Sequence, residues 1–435
     1  MTIPIPTGVF DIVPKPHHGD EWRSSHLWSF VDSMARRLAE LYACQEIRTP
    51  IFERTELFSR SVGDDTDIVS KEMYTFEDRG GRSLSLRPEG TAGVIRALIT
   101  ERMLHSSGPT RLFYLGPMFR YERPQAGRVR QHHQFGVEVF GVAGPEQDAE
   151  LVEMLVTFYK MLGITDLTVH LNSLGTGSAR HVFVEAFKEF LRPQLGALSE
   201  DSRKRFEKNP LRILDSKAPE DQAILENAPS ILDFLGAEDK AHFEIVQSIL
   251  SNQGVSFEVN PHLVRGLDYY QKTVFEITSG KLGAQNTVGG GGRYDSLVKE
   301  LGGPDMPGIG FATGLERVIH TLLKSRTAAE IPKNPLHIAL LPMSEKEVRY
   351  AMNVASRLRE VGLSCFIDFS FKKLKNTLSR VVDMQAQYVI VIGETEIQTN
   401  RLEVKRLLTG EKKIVALEAL SSFLQQAVNI QNESI

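Results

Sequence analysis

The chain has 435 residues and a mass of 48.7 kDa, with 41% hydrophobic and 24% charged residues. That balance excludes wholesale disorder and leaves room for two to four domains at roughly 100–200 residues each. A net charge of −4 excludes a uniformly basic polyanion binder, though not a local basic surface. The only cysteines, Cys44 and Cys365, cannot build a disulfide framework or a Cys-rich zinc site, and they suit a reducing cytosol. The N-terminal MTIPIPTGVFDIVPKPHHGDEW lacks a basic segment followed by a long apolar stretch. No apolar run approaches the ~20 residues of a bilayer span, so a soluble cytoplasmic protein is expected.

In chain order, apolar residues at Leu27, Phe30, Val31, Met34, Leu38, Leu41 and Tyr42 describe one face of a long helix over 21–45, with Asp20 as its expected N-cap. Residues 46–52 read as extended, and Pro50 places them at a strand edge or an interface. Short β-type runs follow at 112–115 and 134–140, a helix at 148–162, and a further strand at 273–278, which together suggest a largely antiparallel sheet. The stretch 178–260 is helix-like and charged and reads as an inserted helical subdomain. A helix after Arg317 runs to about Lys324, and 326–335 has linker composition. Beyond it, strands at 337–341 and 388–392 alternate with helix-period segments at 345–361 and 373–384, the pattern of a small α/β domain. Residues 331–435 carry 14 Lys and Arg against 11 Asp and Glu, whereas the rest of the chain is net acidic. A mildly basic terminal module on an acidic body suits a polyanion partner or an ordinary solvated surface.

Several familiar signals fail. No phosphate-binding G-x-x-x-x-G-K-[ST] exists. Gly308, Gly310 and Gly314 are spaced one residue too long for the dinucleotide fingerprint. The pairs His17-His18 and His132-His133 lack partners at metal-ligand spacing and are read as structural or solvent-facing. The run Gly289–Gly292 is a bulge or tight turn, or a place where backbone approaches a ligand closely. The densest signal lies between Arg111 and His133, where five arginines accompany one acid, Glu122. Guanidinium gives planar, permanently charged contact, so such a hairpin suits phosphate oxygens. Arg87-Pro-Glu89-Gly90-Thr91 sets a carboxylate and a hydroxyl two residues apart, able to grip an ammonium. Leu263-Val-Arg265-Gly-Leu-Asp268-Tyr269-Tyr270 joins a cation, an acid and two phenols. Gly314-Leu-Glu316-Arg317 sets an arginine at a helix start. Together they supply separate binders for a phosphate, an ammonium and a small polar ring.

The order RPEGT, FRYERPQ, RQHHQFGVEVFG, LVRGLDYYQKTVFE, GGRYDSL and GFATGLERV resembles the histidyl-tRNA synthetase family of class II aminoacyl-tRNA synthetases over nearly the whole chain. The FRxER segment resembles the second class-defining motif, GLER the third, and Ile47-Arg-Thr-Pro50 the first, which lies at the dimer interface in that family. The short ERPQ loop resembles bacterial-type members. The resemblance implies an α+β architecture: an antiparallel-sheet catalytic domain over 1–325, a helical insertion at about 178–260, a linker at 326–335, and an α/β anticodon-binding domain over 336–435.

It further implies a histidine–tRNA ligase of protein biosynthesis, working as a homodimer on ATP, L-histidine and tRNA(His), with Mg²⁺ held mainly by ATP phosphates and no protein metal site. Arg120 and Arg265 would contact the α-phosphate and the substrate carboxylate, and Arg317 the γ-phosphate. Glu122 would sit near the adenine amino group. Glu89, Gly90 and Thr91 would hold the histidine ammonium, with Gln134 nearby. Glu138 and Tyr270 would address the imidazole nitrogens, Tyr269 would line the pocket, and Arg123 and Gln125 would meet the tRNA acceptor end. Period two then puts Gln134, Gly136 and Glu138 on one strand face, the expected pocket floor. The competing expectation is a catalytically silent histidine-sensing paralogue, resembling the regulatory subunit of ATP phosphoribosyltransferase.

Overall fold

A computed structural model of the chain describes residues 3–63, 66, 68–105, 108–122, 128–282, 286–326, 330–331 and 336–432. The chain forms two units, Met1–Ile331 and Pro332–Ile435.

The strands of the first unit are β1 (Gln45–Glu46), β2 (Phe52–Arg54), β3 (Thr75–Glu77), β4 (Ser83–Leu86), β5 (Thr110–Phe119), β6 (Gln131–Phe140), β7 (Thr168–Ser173), β8 (Phe257–Val259), β9 (Gln271–Thr278), β10 (Thr287–Arg293) and β11 (Gly308–Gly314). Eight of them form one sheet in the order β1-β5-β6-β11-β10-β9-β7-β8. It is antiparallel except at its ends, where β1 runs parallel to β5 and β8 parallel to β7. Strands β2, β4 and β3 make a separate small antiparallel sheet.

The helices of this unit are α1 (Ser25–Leu41), α2 (Thr55–Val62), α3 (Thr91–Thr100), α4 (Pro145–Met161), α5 (Gly177–Leu191), α6 (Glu200–Lys208), α7 (Pro219–Leu225), α8 (Ala237–Asn252), α9 (Leu297–Glu300) and α10 (Leu315–Ser325). The first helix begins later than its periodicity suggests. Its N-cap position is Ser24, and Asp20 instead pairs with Arg23 at 3.2 Å. A short 3₁₀ turn at Glu21–Arg23 takes up the difference.

Strand alternation gives the sheet two unlike faces. On one, Phe135, Val137 and Val139 of β6 meet α1 (Leu27, Val31, Leu38), α4 (Leu151, Leu155, Phe158), α8 (Phe243, Val246, Leu250) and α10 (Val318, Leu322) in one apolar core. Each such side chain contributes roughly 1.5–3 kcal/mol relative to exposure. The apolar face of α1 is therefore consumed within its own unit and does not await a partner. Helix α8, at the end of the 178–260 stretch, belongs to this core, whereas Phe183, Phe187, Phe206 and Ile213 of the preceding helical segments pack with Tyr114, Tyr269, Tyr270 and Tyr294 in a second cluster.

The run Gly289–Gly292 lies within strand β10, between β9 and β11, with irregular register at both ends. A Cβ at Gly291 would strike the Gly310 carbonyl, and one at Gly290 would lie 3.0 Å from the Arg265 guanidinium. These glycines admit close neighbours on both sides of the strand.

The second unit holds β12 (Ile338–Pro342), β13 (Cys365–Ile367), β14 (Tyr388–Ile392), β15 (Arg401–Arg406) and β16 (Lys412–Ala416), with α11 (Val348–Glu360), α12 (Leu374–Asp383), α13 (Glu394–Thr399) and α14 (Leu417–Asn432). Its sheet runs β13-β12-β14-β15-β16, parallel across the first three strands and antiparallel across the last three. Ser344 and Glu347 form a capping box ahead of α11. No helix of the described residues is long and apolar enough to cross a membrane.

Candidate active site

The polar face of β6 opens onto a cavity of about 260 Å³ in the first unit. Its lining includes Glu89, Thr91, Arg120, Glu122, Gln134, Glu138, Arg265, Tyr269, Tyr270 and Arg317. Residues more than 200 positions apart in the chain thus meet in one space. Gly90 is the N-cap of α3 beside it. Arg123 and Gln125 lie outside the described residues.

At the closed end, Glu138 is 1% exposed. It accepts from Thr91 Oγ1 at 2.6 Å and from the Tyr294 hydroxyl. Burial pushes its carboxyl up to about 8, against an ordinary 4.5. Thr91, expected to hold a substrate ammonium, here gives its hydroxyl proton to Glu138. Glu89 is likewise engaged. Its carboxylate accepts from the backbone N–H of Thr91 at 2.6 Å and of Ala92 at 2.8 Å, closing the first turn of α3. Burial raises its pKa as well.

Four phenols surround these acids, and burial raises the pKa of each, so all remain neutral. Tyr269 and Tyr270 are foreseen from the sequence; Tyr114 and Tyr294 are not. The signal for Tyr114 lies in two glycines, since a Cβ at either Gly90 or Gly136 would collide with its ring. Gly136 does leave room, as period two suggests, but for Tyr114. Tyr294 sits in GGRYD, and Gly308 leaves space for its ring. Gly310 faces the Glu138 carboxylate, which leaves no room for a side chain there.

Arg120, Arg265 and Arg317 also line the cavity. Arg120 Nε donates to the Pro88 carbonyl at 2.9 Å, which fixes the guanidinium at the cavity wall. Arg265 Nη1 donates to Glu276 Oε2 at 2.6 Å. Arg317 Nη1 donates to the Thr287 carbonyl at 2.7 Å, and burial lowers the pKa of this guanidinium. Glu122 pairs with Arg128 at 3.4 Å. Arg87, which opens the RPEGT motif, is a staple. It donates to the carbonyls of Thr49 at 2.9 Å and Pro117 at 2.8 Å, tying the Pro50 segment to β5.

The histidine pair divides its work. His132 lines the cavity, and burial holds its pKa well below the usual value. His133 presents its backbone N–H and Nδ1 to Glu316 Oε1, each at 2.9 Å, joining β6 to α10. Among the described residues no group of three His, Cys, Asp or Glu side chains is placed to hold a metal ion.

An antiparallel sheet carrying a phosphate-competent arginine hairpin on β5–β6, with a further arginine at the start of the helix after its last strand, is the catalytic fold of a class II aminoacyl-tRNA synthetase. The comparisons agree. A family model described as histidyl-tRNA synthetase matches residues 27–318, and one described as an anticodon binding domain matches 337–427. The chain is 52% identical over 426 residues to the histidine–tRNA ligase of Protochlamydia amoebophila, covering 98% of this chain and 100% of that one. It is 46% identical over 429 residues to that of Bacillus cytotoxicus, covering 98% and 99%. Apo histidyl-tRNA synthetase from S. aureus superposes with a TM-score of 0.80 at 35% identity, covering 97% of this chain and 100% of that one. The chain belongs to the histidyl-tRNA synthetase family.

Proposed function

We propose that this chain activates L-histidine with ATP and transfers the histidyl group to the 3′ end of tRNA(His). In the first step a carboxylate oxygen of histidine attacks the α-phosphorus of ATP. The bond to the bridging oxygen breaks, pyrophosphate leaves, and histidyl-adenylate remains. The carboxylate is ionised at neutral pH, so the step needs no general base; it needs two anions aligned and charge on phosphorus stabilised. Arg120 and Arg265 serve the α-phosphate and substrate carboxylate, Arg317 the far phosphates, and Glu122 the adenine amino group once it parts from Arg128. ATP enters as its magnesium complex, with the ion held by phosphate oxygens and water. In the second step a ribose hydroxyl of the tRNA terminus attacks the histidyl carbonyl and AMP leaves.

The observation that carries this reading is one cavity with a buried acid–phenol end and a triple-arginine end. The first end suits a ring with two nitrogens. Glu138 and Tyr270 address them, Tyr269 walls the ring, and Glu89, Thr91 and Gln134 stand toward the main-chain end. A ligand without both nitrogens leaves buried polar groups unpaired, which gives selectivity without an editing step. The second unit supplies the anticodon contacts. Exposed Phe52 and Phe76 on the small sheet, with Ile51 next in sequence, form the surface for a second copy, and the cytoplasm is the compartment.

The histidine-sensing paralogue is not favoured, because the chain carries the anticodon-binding match over 337–427 and brings Arg120, Arg265 and Arg317 together in one cavity. Histidine-dependent exchange of labelled pyrophosphate into ATP is the test. Exchange that needs histidine supports the reading, and a folded protein that binds histidine without exchange returns it to the paralogue.

A further inference from the structure

The helical segment between β7 and β8 carries no recognisable chemical motif, yet three of its side chains reach the loop that bears Arg265, Tyr269 and Tyr270. Arg212 Nη1 donates to the carbonyl of Arg265 at 3.0 Å. Arg180, in α5, sends Nη1 to the carbonyl of Tyr270 at 3.0 Å and reaches that of Asp268 at 3.4 Å. Asn209 Nδ2 donates to Asp268 Oδ1 at 2.8 Å.

We propose that Arg180, Asn209 and Arg212 are positioning residues through which the helical segment sets the substrate-facing loop, so that Arg265 meets phosphate and Tyr270 meets the imidazole ring. The inference rests on the reading of this cavity as the histidine and ATP site.

The physical case starts from the backbone. Residues 264–268 have no regular secondary structure, so their carbonyls need partners from elsewhere. For Arg265 and Asp268 the partners are guanidinium N–H groups from one neighbouring segment, and the Asn209 amide from the same segment holds the Asp268 carboxylate. A guanidinium is suited to this because its planar fork can serve two carbonyls at once, as Arg180 does. Burial lowers the Arg180 pKa, so this cation stands partly desolvated among carbonyl dipoles. A Cβ at Gly266 would lie 3.7 Å from Arg212 Nη1, which places that guanidinium against the backbone itself. The anchored carbonyls belong to Arg265 and Tyr270, two residues whose side chains face the cavity. A small displacement of either carbonyl therefore moves a substrate contact, and misplacement of about 1 Å is enough to cost a large factor in rate.

The test uses the full-length protein with Arg212→Ala, Arg180→Ala, the corresponding lysine variants and Arg265→Ala. Hydrogen–deuterium exchange of amides in 263–270 reads the loop directly, without reference to any activity. Pyrophosphate exchange reads kcat and the separate KM values for histidine and ATP. Faster loop exchange is expected in both alanine variants. A kcat loss of about tenfold is expected for Arg212→Ala and a histidine KM rise of about tenfold for Arg180→Ala, with lysine restoring part of each. In the Arg265→Ala background, Arg212→Ala should remove less than about twofold more, because the two act as one unit. If an arginine variant fails to fold, Asn209→Ala gives the same amide and kinetic measurements with a milder change. Unchanged amide exchange overturns the inference, as does a fully additive loss, or a lowered Tm with kcat and KM intact. Loop loosening in an enzyme whose wild type shows no histidine-dependent exchange would instead overturn the functional reading and leave the anchoring in place.

Discussion

Arg265 Nη1 and Glu276 Oε2 lie 2.6 Å apart, and the other oxygen of Glu276 accepts from Thr287 Oγ1 at 2.6 Å. The Thr287 carbonyl in turn accepts from Arg317. One carboxylate and one threonine thus connect two cations that line the same cavity. Arg265→Ala should lower the pyrophosphate-exchange kcat by about a hundred- to a thousandfold, the loss expected for one preorganised electrostatic donor. Glu276→Gln keeps the shape and weakens a charge-assisted bond, so a fall of only about fivefold is expected. Near-normal exchange in a folded Arg265→Ala protein would remove this arginine from the chemistry.

Glu138 is held between Thr91 and Tyr294 at the closed end of the cavity. Glu138→Gln replaces one accepting oxygen with a donor, so a ring N–H that the carboxyl accepts in wild type is left buried without its partner. Histidine KM should rise by about ten- to a hundredfold, equivalent to ~1.5–3 kcal/mol, while ATP KM stays near wild type. A defect confined to ATP or tRNA would assign this face to another ligand.

The same carboxyl makes stability depend on pH. Its folded value of about 8 lies above the ordinary 4.5. Between these values the folded protein keeps a proton that the unfolded chain has released. The contribution is therefore full below about pH 4.5 and is lost as pH rises through about 8, a matter of up to a few kcal/mol. Calorimetric Tm should decline across this window in wild type and decline less in Glu138→Gln. Glu89, also raised, leaves a residual slope. Parallel Tm curves for the two proteins would show that the buried carboxyl is not held neutral.

Phe52 and Phe76 stand with ring centroids 6.4 Å apart on the small sheet and are 53% and 44% exposed. Two neighbouring exposed phenylalanines, with Ile51 alongside, make a surface that a two-fold partner would cover. Sedimentation at micromolar concentration should give twice the chain mass, and Phe52→Glu with Phe76→Glu should shift it toward the monomer. A fully active wild-type monomer would refute the dimer.

Lys372, Lys373 and Lys375 are exposed at the start of α12. Reversing all three to glutamate should raise the tRNA KM for charging at least tenfold and flatten its salt dependence, with pyrophosphate exchange unchanged (each lost phosphate contact lowers the salt slope by about one). Equal losses in both assays would argue against a separate RNA-binding role for the second unit.

Local pattern was enough for much of this protein. The period-two run on β6 placed Gln134, Gly136 and Glu138 on one face, because alternation is a property of the strand alone. The periodicity around Leu27–Leu38 marked α1 for the same reason, and the cluster of arginines around residue 120 announced an anion site through composition. Motif order then pointed to the family. What the sequence could not decide was the partner of each polar group. That Thr91 donates to Glu138 at 2.6 Å depends on β6 lying beside α3. The acceptors of Arg87, the carbonyls of Thr49 and Pro117, lie 38 and 30 residues away and appear only in the fold. Tyr114 and Tyr294 enter the site through space left by glycines 90, 136 and 308, and the loop at Arg265 is held by side chains more than fifty residues upstream. Helical and strand periods arise from neighbours along the chain, whereas hydrogen-bond satisfaction and side-chain volume depend on which segments the fold brings together.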